Sequence, residues 1–179
     1  MNKILVIFII GFFLLLSCDI SKDLKLGEGK EDLPDEMADS ILVVTKNGDR
    51  VENILKAAYM KRFYDSKKTI LDSLHSEAFN QKGQLDYEID CNNAVINEAK
   101  NLMIAKGNVV VNSEKGKLKT SELRWDQNEN IIYVDTLFTL IRKDNILTGN
   151  YLKTDLEFNN IDMKKVKGKG KIDKKSIDW

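Results

Sequence analysis

The stretch Ala105–Asp126, AKGNVVVNSEKGKLKTSELRWD, decides how this chain folds. Val109-Val110-Val111 is a β-rich apolar run, Asn112 to Gly116 is a turn, and a second strand carries Leu118, Thr120, Leu123 and Trp125. Short runs of β-branched and aromatic residues cut by Asn, Gly and Asp signal strands and hairpins. Downstream, Asp126 to Asn130 supplies the next turn, and Ile131–Val134 and Leu137–Ile141 continue the pattern. Upstream, Ile41–Thr45 is a compact apolar strand that ends at the turn signal Asn47-Gly48-Asp49. Residues 49–64 also fit helical spacing through Val51, Ile54, Leu55, Ala58 and Tyr59, but strands are expected there because the chain repeats.

A shift of 29 residues lays Leu118, Leu123, Trp125, Asp126 and Asn130 on Leu147, Leu152, Thr154, Asp155 and Asn159. One shift earlier falls on Ile89, Ala94, Ile96, Asn97 and Asn101, and a degenerate copy runs from Phe63-Tyr64-Asp65 through Ile70-Leu71. Each unit reads as an apolar residue, a second one five later, an Asx turn, then another apolar strand. A two-stranded hairpin is marginal alone, so such units must stack or close into a sandwich.

Composition fits one globular domain: 179 residues, 42% hydrophobic and 31% charged. Lys plus Arg number 28, as do Asp plus Glu, so there is no basic excess of the kind that binds nucleic acid. The single proline, Pro34, leaves turns to Gly, Asn and Asp.

At the N-terminus Lys3 precedes an apolar run, Ile4–Leu16. As a helix it would reach roughly 20 Å, short of the ~30 Å hydrocarbon core, which reads as a secretory signal. Its ending, Leu15-Leu16-Ser17-Cys18, resembles the bacterial lipobox, although Leu16 is bulkier than usual at its position. That resemblance implies a lipoprotein signal peptide over residues 1–17 and acylation of Cys18, with several acyl chains giving a stable anchor. A short uncleaved anchor helix, or a Cys18 that merely ends a signal peptide, are the alternatives. Asp19 after Cys18 resembles an inner-membrane retention signal. Residues 18–40, polar and holding two glycines and Pro34, are expected to be a flexible tether, and residues 41–175 the folded domain. Cys91 would then be the one remaining thiol, a small half-buried hydrophobe without a disulfide partner.

Ala105 to Val111, followed by Gly116, Leu118, Thr120, Leu123 and Trp125-Asp126, resembles the core motif of the LptC and LptA proteins of lipopolysaccharide transport. Leu147-Thr148-Gly149 with Leu152–Asp155 resembles the family's next strand pair, and Lys167-Gly168-Lys169-Gly170 its terminal strand. The likeness spans residues 42–173 in layout and 86–173 in motif. A single domain behind an apolar segment favours LptC, although a lipobox stands where the family more often has a spanning helix. The resemblance implies an all-β, open β-jellyroll: two antiparallel sheets forming a V-shaped slot with open edges. It also implies a periplasmic protein that takes lipopolysaccharide or a related glycolipid from an inner-membrane ABC transporter. The lipid would pass to an LptA-like periplasmic jellyroll joined by edge-strand pairing. Val109, Val111, Leu118, Leu123, Trp125, Ile132, Phe138 and Leu140 are the candidate slot lining, with plain core packing as the competing role. Trp125, large and amphipathic, suits a rim.

The lysines 164, 165, 167, 169, 171, 174 and 175 alternate in part with Val166, Gly168, Gly170 and Ile172. Such a strand would attract lipid phosphates or an acidic partner, or simply guard an edge against aggregation. No cofactor or catalytic site is expected. His75, the one histidine, has no Cys or His at ligand spacing, and a metal would need acidic partners that the sequence does not point out. Gly27-Glu28-Gly29 and Gly168-Lys169-Gly170 lack the strand–helix context of a phosphate loop. The competing function is a structural or surface-displayed envelope lipoprotein that binds a protein partner and carries no lipid.

Overall fold

The computed structural model describes residues 33–169, which form strands and turns with no helix. The signal segment, Cys18, most of the tether, Gly27-Glu28-Gly29 and the lysines beyond Lys169 lie outside the described residues. In chain order the strands are β1 Glu36–Asn47, β2 Arg50–Phe63, β3 Lys68–Phe79, β4 Leu85–Asn97, β5 Leu102–Ser113, β6 Gly116–Asp126, β7 Ile131–Val134, β8 Phe138–Arg142, β9 Asn145–Gly149, β10 Tyr151–Thr154, β11 Asp162–Lys164 and β12 Lys167–Lys169. Arg50–Phe63 is therefore strand throughout, as the repeat required, and β1 begins at Glu36, inside the stretch read as tether.

All strands join one 12-stranded antiparallel sheet in which β1 to β6 are neighbours in sequence order. Beyond β6 the sheet divides. One half of β6 pairs with β7, then β10, then β11; the other half pairs with β8, then β9, then β12. Leu147–Gly149 and Leu152–Thr154 thus do not pair with each other but lie in consecutive strands of different halves.

The same break crosses the long strands. Ladder register skips Ser40 in β1, Ser73 in β3, Cys91-Asn92 in β4 and Gly107-Asn108 in β5. Ser40, Ser73, Gly107, Asn108 and, between β11 and β12, Lys165 all have positive φ. Such residues break the pleat and bend the strand. Backbone groups released there meet side-chain partners: the single hydroxyl proton of Thr120 is shared between the carbonyl oxygens of Glu122 and Leu137, and its Oγ1 lies 2.9 Å from Thr136 Oγ1. This crease folds the sheet onto itself. Tyr87 pairs with Ser113 and Trp125 with Met103, near opposite ends of β5. On a flat sheet they would lie roughly 30 Å apart, yet their ring centroids are 6.1 Å apart in a T-shaped contact.

The crease also accounts for the repeat. Ile89, Leu118 and Leu147 lie on one row across one half, which runs Val43–Leu55–Ser76–Ile89–Val111–Leu118–Leu140–Leu147. Ala94, Leu123 and Leu152 occupy the facing half. Five residues is an odd step, so in a regular strand the pair would point to opposite faces; the intervening irregularity turns both inward. Asn97, Asp126 and Asp155 each accept a backbone N–H through their side-chain oxygen, from Lys100, Asn128 and Asn159 respectively, completing the unit.

Gly107 and Gly48 have similar positive φ, but a Cβ at Gly107 would lie 2.8 Å from Asn92 Nδ2, whereas nothing lies within 4 Å at Gly48. Denaturant unfolding should therefore show Gly107→Ala costing about 2 kcal/mol and Gly48→Ala about 1 kcal/mol or less.

Candidate lipid slot and its edges

Between the two halves the inward side chains form one core cluster. Val109, Val111, Leu118, Leu123, Ile132, Phe138 and Leu140 are all within it at 0–1% exposure, so these seven candidates fill the sandwich interior. Trp125 is half-buried in the outermost inward row, against Tyr87 of the facing half, and its buried Nε1 has no partner. The eight residues are brought together, but at the closed part of the sandwich. Two features close it there: the Tyr87–Trp125 contact, and the 155–161 loop, whose Leu156 and Phe158 are fully buried. Lys115, in the β5–β6 turn, reaches across to Asn159 and lies 3.7 Å from Glu157.

Toward β1 the interior opens. Along the single row from Leu118 the exposure is nil at Val111, 1% at Ile89, then intermediate at Ser76 and Leu55, and 49% at Val43. The facing half does the same, from Leu123 and Ala94 at 0% through Leu71 at 2% to half-buried Met60 and Ala38. Ile41, Leu55 and Met60 are thus half-buried against the edge of the core, and Val43, at 49% exposure, is the most open of these inward apolar residues. Sequence reading missed them because inward and outward apolar residues run together in Ile41-Leu42-Val43-Val44; only the register separates them.

The rim at this end is polar. Glu36, Arg62 and Thr69 are successive partners on the outermost inward row. Arg62 lies 3.3 Å from Glu36 and 3.9 Å from Glu98, while Thr69 donates to Glu98. Among the described residues strand β1 pairs only with β2 and its other edge has no neighbour, whereas the opposite edge is made of the three-residue strands β11 and β12. In the described part of the lysine run, Lys164 ends β11 beside β10, the chain crosses the crease at Lys165, and Lys167–Lys169 pairs with β9. A separate concavity of about 760 Å³ beside the 155–161 loop has a mixed lining that includes Glu129, Ile131, Lys153, Asp155, Ile161 and Asp162.

Sequence reading also left His75 without partners. The β3–β4 register supplies them on the outer face: His75 lies opposite Asp90 and Glu77 opposite Glu88. The alternation His75-Ser76-Glu77 against Glu88-Ile89-Asp90 was the available signal. Burial pushes the Cys91 thiol up to about 11 and the Tyr87 phenol up to about 12.

An antiparallel sheet folded face to face on itself, with its cover thinning toward one end, defines a jellyroll-like β-protein. The chain belongs to the LptC family: the model described as lipopolysaccharide-assembly, LptC-related, matches residues 3–170. Among solved structures it is similar to LptH, the LptA homologous periplasmic component of the conserved lipopolysaccharide transport device from Pseudomonas aeruginosa. The TM-score is 0.53 at 10% identity, over 62% of this chain and 80% of that one, a likeness of fold. No curated protein sequence matches the chain.

Packing dictates two outcomes. Phe138→Ala should cost about 3–5 kcal/mol in denaturant unfolding, and Val43→Ala less than about 1 kcal/mol, since only the first leaves a cavity. Because the folded state holds Cys91 and Tyr87 neutral above their ordinary values of 9.0 and 10.0, their contribution is complete below pH 9. It is lost as pH rises through about 11 and 12. Tyr87→Phe should flatten the upper part of this loss, read from unfolding midpoints against pH.

Proposed function

We propose that the protein carries or bridges lipopolysaccharide, or a related glycolipid, as one station of an envelope transport line. The observation that carries this reading is the thinning of apolar cover at β1 and β2, from half-buried Ile41, Leu55 and Met60 to exposed Val43, within a chain of the LptC family. Each methylene withdrawn from water contributes ~0.8 kcal/mol, so ten of them seated against Ile41, Val43, Leu55 and Met60 contribute about 8 kcal/mol before ordering costs. The seven buried candidates form the closed end that the tails abut, and Trp125 stands at its rim. Arg62, on the inward rim and near Glu36 and Glu98, is placed to meet a lipid phosphate.

In the full proposal Cys18 bears the acyl anchor, holding an inner-membrane lipoprotein with its domain in the periplasm. Lipid arrives from an inner-membrane ABC transporter and leaves to an LptA-like jellyroll paired along a strand edge. Main-chain pairing suits β1, a 12-residue strand whose outer edge has no neighbour among the described residues. The reading involves no enzymatic step.

The filled core from β4 to β10 favours the second reading, an envelope lipoprotein that binds a protein partner and carries no lipid. Photo-crosslinking in cells separates the two. A photoreactive residue at position 43 or 55 should give lipid adducts, with none from position 118. Protein adducts alone at 43 and 55 would establish the second reading instead.

A further inference from the structure

We infer that the outer face of β3 and β4 holds a site for one divalent transition-metal cation of the zinc class. His75, Glu77 and Glu88 are its ligands, and Asp90 orients the imidazole. Ligand atoms of His75, Glu77 and Glu88 all lie within 4.8 Å of one another, and all three side chains are half-buried. His75 Nε2 is 3.7 Å from a Glu77 oxygen. Donors bound about 2.1 Å from a tetrahedral ion stand about 3.4 Å apart, so small side-chain rotations close the shell.

The second ring nitrogen settles which atom is available. His75 Nδ1 lies 2.7 Å from Asp90 Oδ1. An ionised carboxylate only accepts, so Nδ1 carries the proton in the neutral ring and Nε2 presents its lone pair toward Glu77 and Glu88. This is the carboxylate–histidine arrangement that surrounds metal-bound imidazoles. Asn112 Nδ2 donates to Glu88 and so steadies a ligand from the neighbouring strand.

The charge pattern points the same way. Glu77 and Glu88 face each other directly across the ladder, a like-charge pairing that destabilises a sheet unless a cation offsets it. Among the described residues, no lysine or arginine lies within ion-pair distance of Glu77, Glu88 or Asp90. Lys56 sits opposite His75 in β2 without engaging these carboxylates. An imidazole with carboxylates suits a zinc-class ion, whereas magnesium and calcium prefer oxygen donors alone. The bound ion would tie β3 to β4 close to the crease at Ser73.

Calorimetric titration of the chelator-stripped full chain with Zn²⁺ tests this. One ion should bind per chain, raise the thermal midpoint, and remain bound in millimolar Mg²⁺. His75→Gln and Glu88→Gln should each weaken binding at least tenfold, and Asp90→Asn about tenfold through the imidazole. Metal-free His75→Gln and Asp90→Asn should keep the metal-free midpoint of the parent chain, and metal-free Glu88→Gln, relieved of its facing like charge, should match or exceed it, which separates ligand loss from misfolding. Absence of saturable Zn²⁺ binding, or binding unchanged in His75→Gln, would overturn the site.

Discussion

The crease at the middle of every long strand is the constraint on which the rest of the structure depends. Without it the inward rows of the two halves would lie far apart on one broad sheet, with an apolar face open to water. The bend brings Val111, Leu118 and Leu140 of one half together with Leu123, Ile132 and Leu152 of the other in a single core. It also resolves the backbone cost of bending, since Ser, Thr, Asn and Gly sit where ladder bonds are missing. Gly107 and Asn108 mark this most plainly, with consecutive positive φ in the middle of β5.

Much of this architecture was legible in the residues. The 29-residue period, the Asx turns and the run of apolar strands lead to stacked hairpins, and these are the hairpins observed. The odd spacing between Leu118 and Leu123 was in view as well, although its meaning as a change of half needs the ladder. Where the reading fell short, the cause was that single-strand patterns do not report neighbours. Leu118 and Val43 lie in one row and differ in exposure from 0% to 49%, because the first has strands on both sides and a facing sheet while the second is on an edge. Two partners of His75, Glu88 and Asp90, were hidden similarly, since they come from a strand that begins ten residues later.

The gradient of burial divides the domain by role. From β4 to β10 the sandwich is closed and supplies the packing that keeps a kinked sheet folded. At β1 and β2 that packing thins, and the same inward rows run out through half-buried Leu55 and Met60 to exposed Val43. Stability and access are thereby assigned to opposite ends of one continuous surface, so the open end can exist without loosening the core.

The chain-order topology has a further consequence, for how the domain is made. From β1 to β6 each strand lies beside its predecessor, and tight reversals such as Gly48-Asp49 and Glu114-Lys115 join β1 to β2 and β5 to β6. Closing such short loops carries little entropic cost, so the sheet can grow by successive zippering without a distant strand returning to complete it. Among the described residues the final strands, β11 and β12, span three residues each, so few ladder bonds hold that margin against local opening.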